Sequence, residues 1–177
     1  NLPAVYNELK LFLKKYPLKT SEGSDVILEY TEDANDLYVR YKINHFMDMA
    51  LHRIVYLKSG ATIVIDPTEA LTVIDVNTGK AISGKKVSEE TFFAINMEAA
   101  KEIAAQIKLR NLSGIILIDF INLSDHSKEE KLIEALRNAF KADSVQTEVV
   151  DITKLGLVEI TRKKVYKTLQ EQLSDAQ

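Results

Sequence analysis

Apolar positions follow two rhythms along this chain, one of helical period and one of alternating or unbroken runs. From 2 to 15, Leu9, Leu11, Phe12 and Leu13 stand among lysines at spacings that predict an amphipathic helix. Val26 to Tyr30 and Leu37 to Tyr41 read as short strands, with the acidic stretch Thr31-Glu32-Asp33-Ala34-Asn35-Asp36 as the turn between them. A short helix is expected over 44–52, and a boundary between 53 and 54. Beyond it, Val55-Tyr56-Leu57 and Ala61 to Ile65 are strands flanking a Ser59-Gly60 turn, and Asp66-Pro67 stops the second. Leu71 to Val76 is a further strand. Ser88, with Glu89 and Glu90 behind it, reads as the cap of a helix to about Arg110, whose expected buried stripe is Phe93, Met97, Ala100, Ala104 and Ile107. Asn111 to Gly114 ends that helix and Ile115 to Ile121 is the strongest strand. Ser127-Lys128-Glu129-Glu130 reads as a capping box before a helix carrying Leu132, Ile133, Leu136 and Phe140. Strands at 145–150 and 157–161 and a charged helix after Lys164 complete a mixed α/β sandwich.

Two of these runs end in a carboxylate: Leu71 to Asp75, continuing to Val76-Asn77, and Gly114 to Asp119. Unbroken aliphatic runs read as strands buried on both faces, where an unpaired carboxylate is costly. Asp75 and Asn77 are two apart and share a strand face. Together with Asp119 they form a candidate Mg²⁺ site, since that ion takes hard oxygen ligands, one or two of them protein carboxylates. Asp and Asn also end strands simply as turn-forming residues, so both readings stand at this point.

Composition narrows the setting. The 177 residues carry a net charge of −3, with 46% hydrophobic and 28% charged residues, as in an ordinary globular protein. That charge argues against a surface that binds nucleic acid everywhere, although basic residues cluster locally. The chain has no cysteine, which excludes disulfides and thiolate zinc sites and favours a reducing, cytoplasmic compartment. No apolar run is long enough to span a bilayer, so no membrane partner is expected. The start Asn1-Leu2-Pro3 lacks an initiator Met and is read as that of a processed or excised segment.

Other motifs say less. Gly79 to Lys86 nearly spells a phosphate-binding loop, but Lys86 stands where a Ser or Thr would hold Mg²⁺, and the helix starts only at Ser88. The lysines of that loop, Lys80 and Lys85, could instead hold an RNA backbone beside the acidic site. His45, His52 and His126 have no metal-ligand spacing.

Several blocks in order resemble the ribonuclease E/G family. They are Ser59-Gly60-Ala61-Thr62-Ile63-Val64-Ile65-Asp66 through Thr72-Val73-Ile74-Asp75-Val76-Asn77, then Asn96-Met97-Glu98-Ala99-Ala100, Leu109-Arg110-Asn111-Leu112-Ser113-Gly114, Ile118-Asp119-Phe120-Ile121 and Leu155-Gly156-Leu157-Val158-Glu159-Ile160-Thr161-Arg162. The resemblance implies an endoribonuclease that cuts single-stranded RNA with Mg²⁺ and leaves 5′-phosphate ends. It implies a DNase I-like catalytic subdomain at 54–177, preceded at 1–53 by part of an RNase H-like subdomain. Asp75 and Asp119 match the family's metal-binding aspartates and Asn77 the asparagine beside the first. Lys80, Lys85, Lys154, Arg162 and Lys164 are the expected RNA contacts. The family's upstream S1 and 5′-sensor modules and its cysteine linker have no counterpart here, and assembly as a homo-oligomer stays open. The alternative is a non-catalytic RNA-binding or assembly module on the same fold.

Overall fold

The computed structural model describes residues 2–82 and 88–175. The chain divides into two compact units, Asn1–Met49 and Ala50–Gln177.

The first unit is helical. α1 (Pro3–Lys15) starts with proline at its first position, where the missing N–H has no intrahelical partner to lose. α2 (Ala34–Arg40) and α3 (Ile43–Leu51) follow. The strands expected over 26–30 and 37–41 do not form. The acidic stretch is instead a helix start: the Asp33 side chain accepts the Asn35 N–H at 2.8 Å, an N-cap that turns Leu37 to Arg40 into helix. Over 26–30 the chain is irregular; the isolated bridge Lys19–Asp25 lies just before it, and the Val26 N–H donates to the Leu18 carbonyl at 3.3 Å.

The second unit is built on one six-stranded sheet in the order β1-β2-β3-β4-β6-β5. The strands are β1 (Ile54–Tyr56), β2 (Thr62–Pro67), β3 (Leu71–Asn77), β4 (Gly114–Asp119), β5 (Thr147–Ile152) and β6 (Val158–Arg162). Only β3 and β4 run parallel. The long helix α4 (Glu89–Leu109) makes the crossover a parallel pair requires. α5 (His126–Phe140) packs on α4, and α6 (Leu169–Ser174) closes the chain.

Local chemistry sets the helix ends. Ser88 caps α4, accepting the Thr91 N–H, as its position before Glu89-Glu90 predicts. α5 is capped by Asp125 rather than Ser127; the Asp125 side chain accepts the Ser127 N–H at 2.9 Å, so the helix starts before the expected box. β2 runs on through Asp66 and Pro67, paired with Val73 and Thr72. Proline is tolerated there because β1 pairs only as far as Val64, leaving the Pro67 nitrogen on an unpaired edge.

The core lies between one face of the sheet and the helices. Ile63, Ile65, Ile74, Ile116, Ile118 and Ile160 are at most 1% exposed and meet Ala99, Ala100, Ile103 and Ile107 of α4 and Leu136 of α5. Of the expected α4 stripe, Ala100, Ala104 and Ile107 are buried and Phe93 and Met97 only part-buried; Ile95, Asn96, Ala99 and Ile103 join the inward face.

At the start of β4 a polar knot replaces apolar packing. Arg162 and Asp143 side chains are each 3% exposed. The guanidinium donates from Nε and Nη2 to the two Asp143 oxygens at 2.9 and 3.2 Å, and from Nη1 to Asn111 Oδ1 and the Leu112 carbonyl. Asp143 also accepts the Val145 N–H and the Thr147 hydroxyl. The Arg162 bonds, with burial opposing them, hold the Asp143 carboxyl down at about 2 against an ordinary 3.8. A depressed carboxyl stabilises the fold fully above pH 3.8, and that contribution is lost as pH falls through about 2. We therefore expect Asp143→Ala to destabilise the protein by about 3–5 kcal/mol near neutral pH, because it strands a buried guanidinium. The gap from wild type should narrow on acidification below pH 3.8, read by urea denaturation at a series of pH values.

Candidate active site

The crossover from β3 through α4 to β4 sets the register Leu71–Ile115, Ile74–Ile118 and Asp75–Asp119. The two carboxylates are thus direct neighbours at the carboxyl ends of the two parallel strands, with backbones about 4.8 Å apart and side chains on one face. Asn77, two residues past Asp75, shares that face, and its Nδ2 donates to Asp75 Oδ2 at 2.6 Å. All three sequence-predicted site residues therefore come together. His126, the first residue of α5, is 95% exposed and pairs with Glu129.

The face that carries them is not buried as the apolar runs suggested. Burial alternates along β3 and β4: Thr72, Ile74 and Val76 point into the core, whereas Val73 is 39% and Ile115 51% exposed. The helices packed on this sheet, α4 and α5, both occupy the other face. Asp75 is half-buried and Asp119 exposed, so water reaches both, and their charge carries no deep-burial penalty.

What holds the site is a set of α4 side chains that the sequence reading passed over. Asn96 is fully buried; its Nδ2 donates to the Ile121 carbonyl at 2.7 Å and its Oδ1 accepts the Ile121 N–H at 3.1 Å. It takes both backbone groups of the residue that would have continued β4, which is why the strand stops at Asp119 rather than Ile121. Glu89 accepts the Ser124 and Asp125 N–H groups through Oε1, at 3.1 and 2.8 Å. Glu98 accepts the N–H groups of Lys58 and Ser59, fixing the β1–β2 turn. That turn meets the loop after Asn77, where the Lys80 N–H donates to the Gly60 carbonyl at 3.0 Å. Glycine is required at 79, since φ is +52° and a Cβ there would lie 2.6 Å from the Gly60 oxygen. One signal for Asn96 was present in the sequence: a polar residue between Ile95 and Ala99 on an apolar helix face is a buried group in need of partners.

The expected basic contacts divide. Lys80 is exposed in the loop just after Asn77. Lys154 is exposed in the β5–β6 hairpin, at the Asp119 end of the sheet because Val158 pairs with Ile118; Gly156 of the same hairpin approaches Asn122. Arg162 is a correction: it is 4% exposed, sits at the opposite end of β4 beside Gly114, and its guanidinium is engaged by Asp143. Lys164 follows Arg162 at that far end, within 3.9 Å of Glu171. Lys85 lies outside the described residues, as do Gly84 and Lys86 of the near phosphate-loop match.

The donor set fits a hard divalent cation held by few protein groups. Two carboxylates and one amide oxygen lie at one strand edge, and among the described residues no cluster of three or more His, Asp or Glu could hold a metal. Zn²⁺ would want more and softer ligands, whereas Mg²⁺ keeps waters and completes its shell with substrate phosphate.

The sequence matches the ribonuclease E/G family over residues 1–165. Ribonuclease G of Haemophilus influenzae is 38% identical over 170 residues, which cover 96% of this chain and 34% of that protein. Ribonuclease G of Escherichia coli K12 is 37% identical over 169 residues, 95% of this chain and 33% of that protein. Ribonuclease E of Synechocystis is 40% identical over 146 residues, 82% of this chain and 22% of that protein. The chain spans about a third of the length of the ribonuclease G relatives and less of the ribonuclease E one.

Replacing Asn96 by Ala removes the only side chain bonding the Ile121 backbone among the described residues. Each stranded group costs about 1–3 kcal/mol, so a lowered urea midpoint is expected. Faster hydrogen exchange at the Ile121 amide should accompany it, while core amides of β3 change only with the global stability.

Proposed function

Because the chain belongs to the ribonuclease E/G family, we propose that it is the catalytic portion of an endoribonuclease that cuts single-stranded RNA with Mg²⁺ and leaves 5′-phosphate ends. The observation that carries this reading is the direct pairing of Asp75 with Asp119, with Asn77 bonded to the first. On this reading residues 54–177 are a DNase I-like subdomain, and residues 1–53 are part of an RNase H-like one. The cysteine-free composition supports a reducing, cytoplasmic setting.

Asp75 and Asp119 would bind the ion, and Asn77, through its bond to Asp75, fixes the orientation of that carboxylate. A bound Mg²⁺ supplies Lewis acidity at the scissile phosphate and neutralises charge developing on it. Lys80 and Lys154, on loops at the same end of the sheet, offset phosphates to either side of the cleaved bond. The products follow from the bond broken: water attacks phosphorus, the P–O3′ bond breaks, the 3′ oxygen leaves as a hydroxyl and the phosphate stays on the 5′ carbon of the next nucleotide.

Asp119→Asn keeps size and exposure but removes one of the two charges. We expect Mg²⁺-dependent cleavage of a labelled single-stranded oligoribonucleotide to fall on the order of 10²–10³-fold, several kcal/mol of transition-state stabilisation. The circular dichroism spectrum should be unchanged and the urea midpoint should not fall, since the substitution relieves the repulsion between the two carboxylates. Undiminished cleavage by this variant overturns the proposal. Salt-sensitive RNA binding by the wild type, with no Mg²⁺-dependent product, would point instead to a non-catalytic RNA-binding module.

A further inference from the structure

We propose that Tyr56 is a stacking platform for a nucleobase next to the bond cleaved at Asp75 and Asp119; this rests on the reading of that edge as an RNA-cleaving site. The register across the sheet places the tyrosine. Ile54 pairs with Val64, Val64 with Asp75, and Asp75 with Asp119 in one row. Tyr56 pairs with Thr62, and Thr62 with Asn77, in the next. Directly paired residues point to the same face, so Tyr56 stands on the face that carries the carboxylates, two strands from Asn77 and about 10 Å away. Burial agrees: Val55 packs against the core, whereas Tyr56 is 79% exposed. Among the described residues Tyr56 has no hydrogen-bond or ring partner. Between it and Asn77 stands only the short side chain of Thr62.

A single exposed tyrosine needs no explanation by itself. Its surroundings distinguish this one. On the far side of the site the same face is acidic: Glu159 pairs with Leu117, and Glu148 with Thr161. Lys154, in the hairpin at the Asp119 end, can offset a phosphate beside the site, but a strand continuing across this face meets Glu159 and Glu148. On the β1 side, Lys58 is exposed in the turn that follows Tyr56, and Lys80 is exposed on the loop bonded to that turn at Gly60. An aromatic ring flanked by cations is what single-stranded nucleic acid is held by: phosphates follow the positive charge and a base stacks on the ring whatever its identity. The strand of RNA therefore leaves the site toward β1, with a base flanking the cleaved bond on Tyr56.

The test uses single-stranded oligoribonucleotides that carry one abasic nucleotide, moved through the positions flanking the cleaved bond. On intact RNA, Tyr56→Ala should lower kcat/KM roughly 5- to 150-fold, as expected for the loss of one stacked base. Tyr56→Trp should keep it. The abasic substitution should cost the wild type a similar factor at one position and cost Tyr56→Ala nothing further there. Wild-type kcat/KM in Tyr56→Ala, or two losses that simply multiply, overturns the proposal. Binding of an oligoribonucleotide containing 2-aminopurine gives a readout independent of cleavage. If Asp119 proves dispensable but quenching of the probe is lost in Tyr56→Ala and kept in Tyr56→Trp, the stacking site stands and the nuclease reading falls. If cleavage needs Asp119 but quenching survives Tyr56→Ala, the stacking site alone falls.

Discussion

The parallel pairing of β3 with β4 is the constraint on which the site depends. Elsewhere in the sheet neighbours run antiparallel, and several are joined by turns that fix register locally. A parallel pair has no such turn. Its register is set by packing: Ile74 and Ile118 point to one side and Asp75 and Asp119 to the other. Because side-chain direction alternates at every residue, a slip of one position would drive a carboxylate into the isoleucine layer under α4 and lift an isoleucine into water. The hydrophobic core therefore specifies the distance between the two aspartates, although neither belongs to it.

α4 has two roles in that arrangement. Its alanines, Ala99, Ala100 and Ala104, let the helix approach the isoleucines of the sheet closely. Its polar residues then tie down the chain on either side of the strand ends: Glu98 holds the turn before β2, while Asn96 and Glu89 hold the segment after β4. Backbone groups that would otherwise be satisfied by a longer strand or by mobile water are satisfied by one rigid helix. The loops at the carboxylate edge are thus positioned by the same element that makes the crossover.

Much of this was legible in the residues. Strand runs, the Ser88 cap and the facing of Asp75 and Asn77 follow from local rules that tertiary packing did not override. Most of the misreadings share one cause: local pattern does not say what lies on the other side. Val73 and Ile115 look like interior residues because β-branched and aliphatic side chains suit a strand whether or not its second face is covered. Arg162 looks like surface charge because arginine usually is; only the fold brings Asp143, Asn111 and the Leu112 carbonyl around it. Leu37 to Tyr41 alternates like a strand, yet the capping oxygen of Asp33 decides for helix. The aspartates were singled out because a buried charge is costly, and they are not deeply buried. Their convergence, which no local rule supplies, follows from the parallel register.

On the proposed reading, the electrostatics at these strand ends leave a role for a cation. Two carboxylates on neighbouring strands, about 5 Å apart and open to water, repel each other by roughly 1 kcal/mol. Asn77 eases this only at one oxygen, by donating to Asp75. A phosphodiester approaching the same edge brings a third negative charge, and Glu159 lies on the same face beyond Leu117. Arg162, the last residue of the family block in β6, is withdrawn into the core at the opposite end of the sheet. Lys80 and Lys154 are solvated and screened, so they can steer a strand but not cancel the local field. On the proposed reading, a divalent ion held by Asp75 and Asp119 would cancel their combined charge of −2 and leave the scissile phosphate a site that no longer repels it.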